Sequence, residues 1–249
     1  MAILKLILCA GWLISLQVFS STAILDKKET INGVTVQTGK QDSSRIYQGS
    51  ITKTFPYKLD TIKKSVMNFH EKCNNSLKER RKFTDKNADC KYHNENLVET
   101  LVIKNIKQTG WTKAPDEVER FIMGRLIYNR GSFGYYELVQ IFHGKNKKNQ
   151  NTIKIVQTML DDKATKLYIT PAFDKDSAFE TIQCTYTLTE LSPTKTKLRY
   201  KYRANTEHWI LNKEVSIPQV FASISKSIND LVKTVDTESV IQSRDLASN

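Results

Sequence analysis

The stretch AFETIQCTYTLTELSPTKTKLRYKYRANTE, residues 178–207, decides the fold class of this chain. In its first half, apolar residues stand at every second position from Ile182 to Leu188, with threonine and glutamine between them. After a Ser-Pro-Thr turn signal at 192–194, the second half alternates leucine, tyrosine and alanine with lysine and arginine. A period of two places successive side chains on opposite faces of a strand. The stretch therefore predicts a long antiparallel hairpin with one face against a core and one face in water.

Two other segments space their apolar residues by three and four, which is the pattern of an amphipathic helix with one buried stripe. The first runs from Leu59 to Leu77, and the second runs from Val220 to Val235, after Pro218. Shorter segments with period-two patterns or flanking turn residues are typical of strands. They predict strands at 45–56, 97–106, 118–128, 133–143 and 152–160.

The first 23 residues have the three parts of a secretory signal peptide. Lys5 is the one charge before an apolar run at 6–19, and the small residues Ser21 and Ala23 precede the expected cleavage point. The run is shorter than the ~20 apolar residues that a membrane-spanning helix needs, so we expect cleavage rather than anchoring. The mature protein is therefore expected to be secreted or periplasmic.

The composition excludes several classes of enzyme and gives the chain a strong positive charge. With only 9 glycines, the sequence contains no dinucleotide fingerprint, P-loop, nucleophile elbow or zinc-protease helix. No nucleophile–base pair stands out, so we predict no catalytic residue, no cofactor and no metal, and binding is favoured over catalysis. The chain has 38 Lys+Arg against 26 Asp+Glu, a formal net charge of +12.

Five of these cations lie at every second position of the second hairpin strand, where they share one face. Such a row is suited to an anionic membrane or envelope surface, or it is simply a solvated sheet face. We expect no nucleic-acid partner, because no stacking aromatic residues interleave on that face. The cations are Lys195, Lys197, Arg199, Lys201 and Arg203.

Three cysteines remain after the signal peptide, and an odd count in an oxidising compartment predicts one disulfide and one thiol. Cys73 and Cys90 are the nearer pair, which would leave Cys184 free. His70 and His93 each stand three residues from one of the paired cysteines, so a zinc site is an alternative. Unlinked thiols are the third possibility.

The order of elements is a strand, a helix, a run of about six antiparallel strands and a long C-terminal helix. This order resembles the START-like, or helix-grip, superfamily, which includes lipid-transfer domains, plant pathogenesis-related allergens and polyketide cyclase-like proteins. The resemblance is one of architecture, without a signature motif. It implies an α+β fold in which a curved antiparallel sheet of about seven strands wraps on the C-terminal helix and encloses an apolar cavity. A lipocalin-like barrel is the alternative fold, and the two long helices count against it.

The signal peptide, the composition of the chain ends and the resemblance together give the domain organisation and the expected function. We expect an exported monomer that binds a lipid or other apolar small molecule, or else a small-molecule enzyme of cyclase or hydrolase type using the same cavity. A basic envelope-interaction protein with a filled core is the third hypothesis. We expect a signal peptide at 1–23, a flexible N-terminal arm at 24–44, a START-like ligand-binding domain at 45–236 and a flexible tail at 237–249.

In a helix-grip layout, the cavity is lined by inward strand positions and by the inner face of the last helix. Tyrosine rings there provide apolar area and one hydroxyl that can orient a polar ligand group. Three charges within apolar strands, Glu99, Arg125 and Glu137, are expected to face solvent. The candidate ligand-binding residues are Tyr135 or Tyr136, depending on register, together with Tyr186, Leu188, Tyr200, Tyr202, Phe221, Ile224 and Ile228.

Overall fold

The structure is a computed structural model that describes residues 24–67, 97–103, 114–128, 132–161 and 179–247. Its strands are β1 (Ile24–Ile31), β2 (Val34–Gln41), β3 (Ser44–Phe55), β4 (Leu97–Ile103), β5 (Glu117–Tyr128), β6 (Ser132–Lys145), β7 (Asn151–Met159), β8 (Thr181–Ser192) and β9 (Lys195–Thr206). Helix α1 covers residues 59–67. A 3₁₀ turn at Glu214–Ser216 leads into helix α2, Ile217–Ala247.

Within these residues all nine strands form one antiparallel sheet, in the order β1-β2-β3-β9-β8-β7-β6-β5-β4. Helix α2 packs against β1, β2 and β3. The predicted α+β class, with an antiparallel sheet packed on a long C-terminal helix, is therefore confirmed. The hairpin predicted at 178–207 is the β8–β9 pair, in which Tyr186 lies opposite Tyr200 and Leu188 lies opposite Leu198.

The predicted flexible arm at 24–44 is wrong, because this segment forms β1 and β2 and raises the strand count from about seven to nine. Asn32 and Gly33 connect the two strands with φ angles of 49° and 79°. Two positive φ angles in succession are what a tight hairpin turn requires. Val34 and Val36 are fully buried on β2, so the segment contributes to the core despite its polar composition.

The predicted flexible tail at 237–249 is also wrong as far as Ala247, because α2 continues to that residue. Ser239 is buried in this last part, and its hydroxyl lies 2.9 Å from the hydroxyl of Ser65 on α1. Contacts of this kind use small polar side chains, which an apolar periodicity does not detect.

At Gly49 on β3, α2 approaches the sheet closely. A Cβ atom at this position would lie 2.6 Å from Ile224 Cγ2 and 2.6 Å from Ile228 Cδ1, both on α2. Such distances are far inside van der Waals contact, so only glycine allows this approach. We call the sheet face that carries Gly49 the inner face and the opposite one the outer face.

Several predictions lie outside the described residues. These are the signal peptide at 1–23, the pairing of Cys73 with Cys90, the alternative zinc site with His70 and His93, and the second half of the first predicted helix. The first half, at 59–67, is helical and buries Ile62 and Val66 as predicted. Within the described residues, no helix has both the length and the apolar character needed to cross a bilayer.

Candidate functional site

A polar row crosses the inner face of the sheet at its middle. Gln157 on β7 lies opposite Cys184 on β8, Cys184 lies opposite Tyr202 on β9, and Tyr202 lies opposite Gly49 on β3. Residues directly opposite one another in antiparallel strands share a face. We call these four residues the central row, and the contact between Gly49 and α2 places the row on the helix side of the sheet.

The strand register decides between Tyr135 and Tyr136. Val139 lies opposite Gln157, so Val139 belongs to the inner face. Tyr135 is four residues before Val139 on an uninterrupted strand, and an even separation keeps it on the same face. Tyr136 therefore belongs to the outer face, although it is buried as well.

The remaining predicted ligand residues come together on the inner face, within one buried cluster. Tyr186 and Tyr200 pair with their ring centroids 4.8 Å apart, and Leu188 follows one position along the strand face. Phe221, Ile224 and Ile228 approach from α2. Tyr202 is partly buried and lies opposite Gly49, the residue that α2 contacts. It therefore lies between the Tyr186–Tyr200 pair and the residues of α2.

Glu137 is only 1% exposed, so the expectation that it faces solvent is wrong. It lies two residues from Tyr135 and from Val139, which places it on the inner face. The even spacing of Glu137 from Tyr135 and Val139 was visible in the sequence, and it places all three side chains on one face of the strand. Glu99 and Arg125 lie where side chains are outside the described part of the structure.

Cys184 of the central row interacts with two tyrosines, Tyr200 and Tyr202. The hydroxyl of Tyr200 donates a hydrogen bond to Cys184 Sγ, with an O–S distance of 3.2 Å. Cys184 is buried, and within the described residues it forms no disulfide. Burial raises the pKa of Tyr202 far above its ordinary value, and negative charge at Cys184 and Glu137 raises it further. Tyr202 therefore remains a neutral phenol, which can donate or accept a hydrogen bond but does not act as a base.

At one end of the inner face, two buried side chains of β3 donate hydrogen bonds to the loop that follows β9. Arg45 Nε donates to the carbonyl of Asn212 at 3.1 Å, and the Tyr47 hydroxyl donates to the carbonyl of Leu211 at 2.7 Å. Burial raises the pKa of Tyr47, and the positive charge of Arg45 opposes part of that increase. The alternation of the predicted strand gave no reason to single out Arg45, since arginine is normally found at strand surfaces.

A cleft of about 440 Å³ opens at this end of the molecule, between β1 and the start of α2. Residues 26–29 form one wall, and Ile217, Pro218 and Phe221 contribute to the other. Phe221 is thus a predicted ligand residue that lines an open space. Its ring meets Tyr47 edge to face, with the centroids 6.5 Å apart, so the cleft adjoins the inner face near Arg45.

The five cations of β9 lie on the outer face, as predicted. Their register neighbours are uncharged residues such as Thr52 and Ser50 on β3 and Thr185 and Thr187 on β8. Within the described residues, the outward positions of β3, β9 and β8 include no aspartate or glutamate. Lys195, Arg199 and Lys201 are exposed, whereas Lys197 and Arg203 are partly buried. The arrangement gives one continuous basic face.

The described residues contain no group of three His, Cys, Asp or Glu side chains that could hold a metal ion.

Comparison with known proteins finds similarity in structure only. No family model matches the sequence, and no curated protein matches it. Similar solved structures include human StAR-related lipid transfer protein 5, at 15% identity and a TM-score of 0.48, covering 90% of each chain. A STAR-related lipid transfer protein from Xanthomonas axonopodis is 12% identical with a TM-score of 0.45, covering 85% of this chain and 97% of the other.

An aromatase/cyclase from Streptomyces is also similar, at 8% identity and a TM-score of 0.43, covering 78% of this chain and 93% of the other.

Proposed function

We propose that this chain is an exported protein that binds a lipid or another apolar small molecule between the inner face of the sheet and α2. The observation that carries the proposal is the mixed lining of that face, where Glu137, Gln157 and Tyr202 lie among tyrosine, leucine and isoleucine side chains. Small-molecule sites combine an apolar wall with a few placed polar groups. Glutamate is uncommon in a purely apolar core, so Glu137 makes this lining more polar than packing alone requires.

Native mass spectrometry of the purified mature protein tests this proposal directly. A retained lipid would add a mass that identifies its chemical class, and that mass should disappear after delipidation. The delipidated protein should then bind a fluorescent fatty acid. A protein that carries no ligand and binds no apolar probe would contradict the proposal.

A cavity-filling variant separates an open cavity from a filled core. Ala204 is fully buried on the inner face, opposite Tyr47 and Ile182. In an open cavity, Ala204→Trp should abolish probe binding with little change in melting temperature. In a filled core it would overpack, at a cost of ~1–3 kcal/mol. Thr52→Trp, at an exposed position of the outer face, is the control and should leave probe binding unchanged.

A small-molecule enzyme using the same cavity is the second candidate, and the burial of Glu137 near Tyr202 favours it. Glu137 is close enough to raise the pKa of Tyr202, and acid–base chemistry requires ionisable groups within reach of one another. Glu137→Gln removes the charge and keeps the shape. In an enzyme, the variant would accumulate unreacted substrate. In a binding protein, it would co-purify with the same ligand as the parent.

We propose further that the exported protein docks on an anionic membrane surface through the basic outer face. Each cation near such a surface contributes about 1 kcal/mol, and salt screens the attraction. Arg199→Glu with Lys201→Glu should abolish sedimentation with phosphatidylglycerol vesicles. Lys147→Glu with Lys148→Glu makes the same change of charge in the exposed β6–β7 turn and should have little effect. Equal loss in both double variants would show that net charge alone is responsible.

A further inference from the structure

Arg45 is a fully buried cation whose donors are incompletely used. Its side chain is 0% exposed, and Nε donates to the carbonyl of Asn212. Within the described residues, neither Nη1 nor Nη2 has a hydrogen-bond partner. Glu180 and Glu207 accept hydrogen bonds from the adjacent Ser44, but no described carboxylate pairs with Arg45 itself.

A guanidinium keeps its charge at every pH at which proteins fold. A buried charge is strongly unfavourable unless it is paired and hydrogen-bonded, so two unused donors at a fully buried guanidinium require an explanation. The two Nη groups form a planar fork whose geometry matches two oxygens of a carboxylate or phosphate.

The position of Arg45 in the sheet shows which part of the inner face a ligand bound to it would contact. Arg45 lies on the inner face, opposite Thr206 at the end of β9, and one position beyond the Tyr47–Ala204 pair. The central row begins at Gly49, two residues after Tyr47 on β3. Along the inner face, the cation of Arg45 therefore comes first, the Tyr47–Ala204 pair comes second, and the polar residues of the central row come third.

We propose that Arg45 binds the anionic head group of an amphipathic ligand whose apolar part extends past Ala204 and Ile182 towards the central row. This inference rests on the proposed function, because it requires an apolar molecule on the inner face. The head group is an anion with two equivalent oxygens, a carboxylate or a phosphate. The cleft beside Phe221 opens at the same end of the sheet, since Lys27 lines it and shares a register row with Thr38 and Tyr47.

The test compares three probes with the same fluorescent alkyl chain: a fatty acid, its methyl ester and an alkyl phosphate. At a pH where the acid is ionised, the parent protein should bind the acid or the phosphate about tenfold or more tightly than the ester, because hydrogen bonds to charged groups are the strong ones. The preferred anion then distinguishes a carboxylate from a phosphate source.

Arg45→Met should bind all three probes with the affinity of the ester. Lys147→Met removes the same charge from an exposed turn and should preserve the preference of the parent. Arg45→Lys keeps the charge without the planar fork, so it should retain only part of the preference and serves if Arg45→Met does not fold.

The outcomes separate this inference from the proposed function. If the parent binds acid and ester equally, or if Arg45→Met keeps the preference, Arg45 is not the head-group site and the inference is overturned, while apolar binding stands. If the parent binds none of the three probes, the proposed function itself fails.

Discussion

Substitution of Gly49 tests whether α2 lies on the sheet as closely as the structure has it. In Gly49→Ala, the new Cβ would meet Ile224 Cγ2 and Ile228 Cδ1 at 2.6 Å, so both must retreat by about 1 Å to reach normal contact. Ile228 Cδ1 can move by a χ2 rotation, whereas Ile224 Cγ2 moves only with χ1 or with the helix, and isoleucine in a helix has one strongly preferred χ1 rotamer. Overpacking of this kind costs ~1–3 kcal/mol.

Part of this cost is offset, because alanine reduces the conformational entropy of the unfolded chain and so stabilises the folded protein by about 0.4–1 kcal/mol. We therefore expect Gly49→Ala to lower the free energy of unfolding by roughly 1–2 kcal/mol, measured by urea titration. For a chain of this size, this corresponds to a decrease in melting temperature of about 2–8 °C.

Two controls make the result specific to the helix contact. Gly144→Ala is the same change on β6, where the nearest atom is Thr152 Oγ1 at 3.9 Å, so it should leave the fold as stable or more stable by about 0.4–1 kcal/mol. Ile228→Val removes the Cδ1 atom and should recover part of the loss when it is combined with Gly49→Ala, which a double-mutant cycle measures. If Gly49→Ala costs no more than Gly144→Ala, the close approach of α2 to β3 is wrong.

Three further predictions concern pH, the thiols and the mature N-terminus. Burial raises the pKa of Glu117, but hydrogen bonds from Arg120 and the backbone of Ala114 outweigh it and leave the pKa below its ordinary value. A carboxyl with a lowered pKa stabilises the fold at pH values above its unfolded-state pKa, and this stabilisation is lost as the pH falls through the folded-state pKa. Glu117→Gln should therefore reduce the acid-induced loss of stability in urea titrations over that pH range; an unchanged dependence would contradict this. A thiol assay on the unreduced, denatured mature protein should find one thiol, Cys184, whereas three thiols with one bound zinc would favour the alternative with His70 and His93. N-terminal sequencing of exported protein should begin near Ile24, and a sequence that begins at Met1 would indicate an anchor.

The sequence predicted the β8–β9 hairpin to within a few residues, because each strand has one continuous apolar face and one polar face. It missed β1 and β2, because β1 has few apolar residues and is an edge strand. Only Val34 and Val36 provide the apolar positions of β2 that a period-two pattern could detect. The Asn32–Gly33 turn was visible, but a turn without two recognisable flanking strands does not predict a hairpin.

The residues of the site were harder to predict than the fold. Glu137 and Arg45 occupy inward positions of their strands, yet charged residues on half-buried strands are usually at the surface. Their burial depends on the elements that cover them, and the residue pattern of one strand does not show which elements those are. The choice between Tyr135 and Tyr136 likewise required the register between β6 and β7, which is set by pairing partners far away in the chain.

Gly49 and Ala204 together distinguish packing from binding on the inner face. They are small residues on adjacent strands, and each lies beside a tyrosine of the neighbouring strand in the register. The space over Gly49 is occupied by Ile224 and Ile228, so a larger residue there should reduce stability. Ala204 lies one step nearer to Arg45, where we place the apolar part of the ligand, so a larger residue there should reduce binding. If both substitutions reduced only stability, the inner face would be a filled core, and the basic outer face would be left as the functional surface.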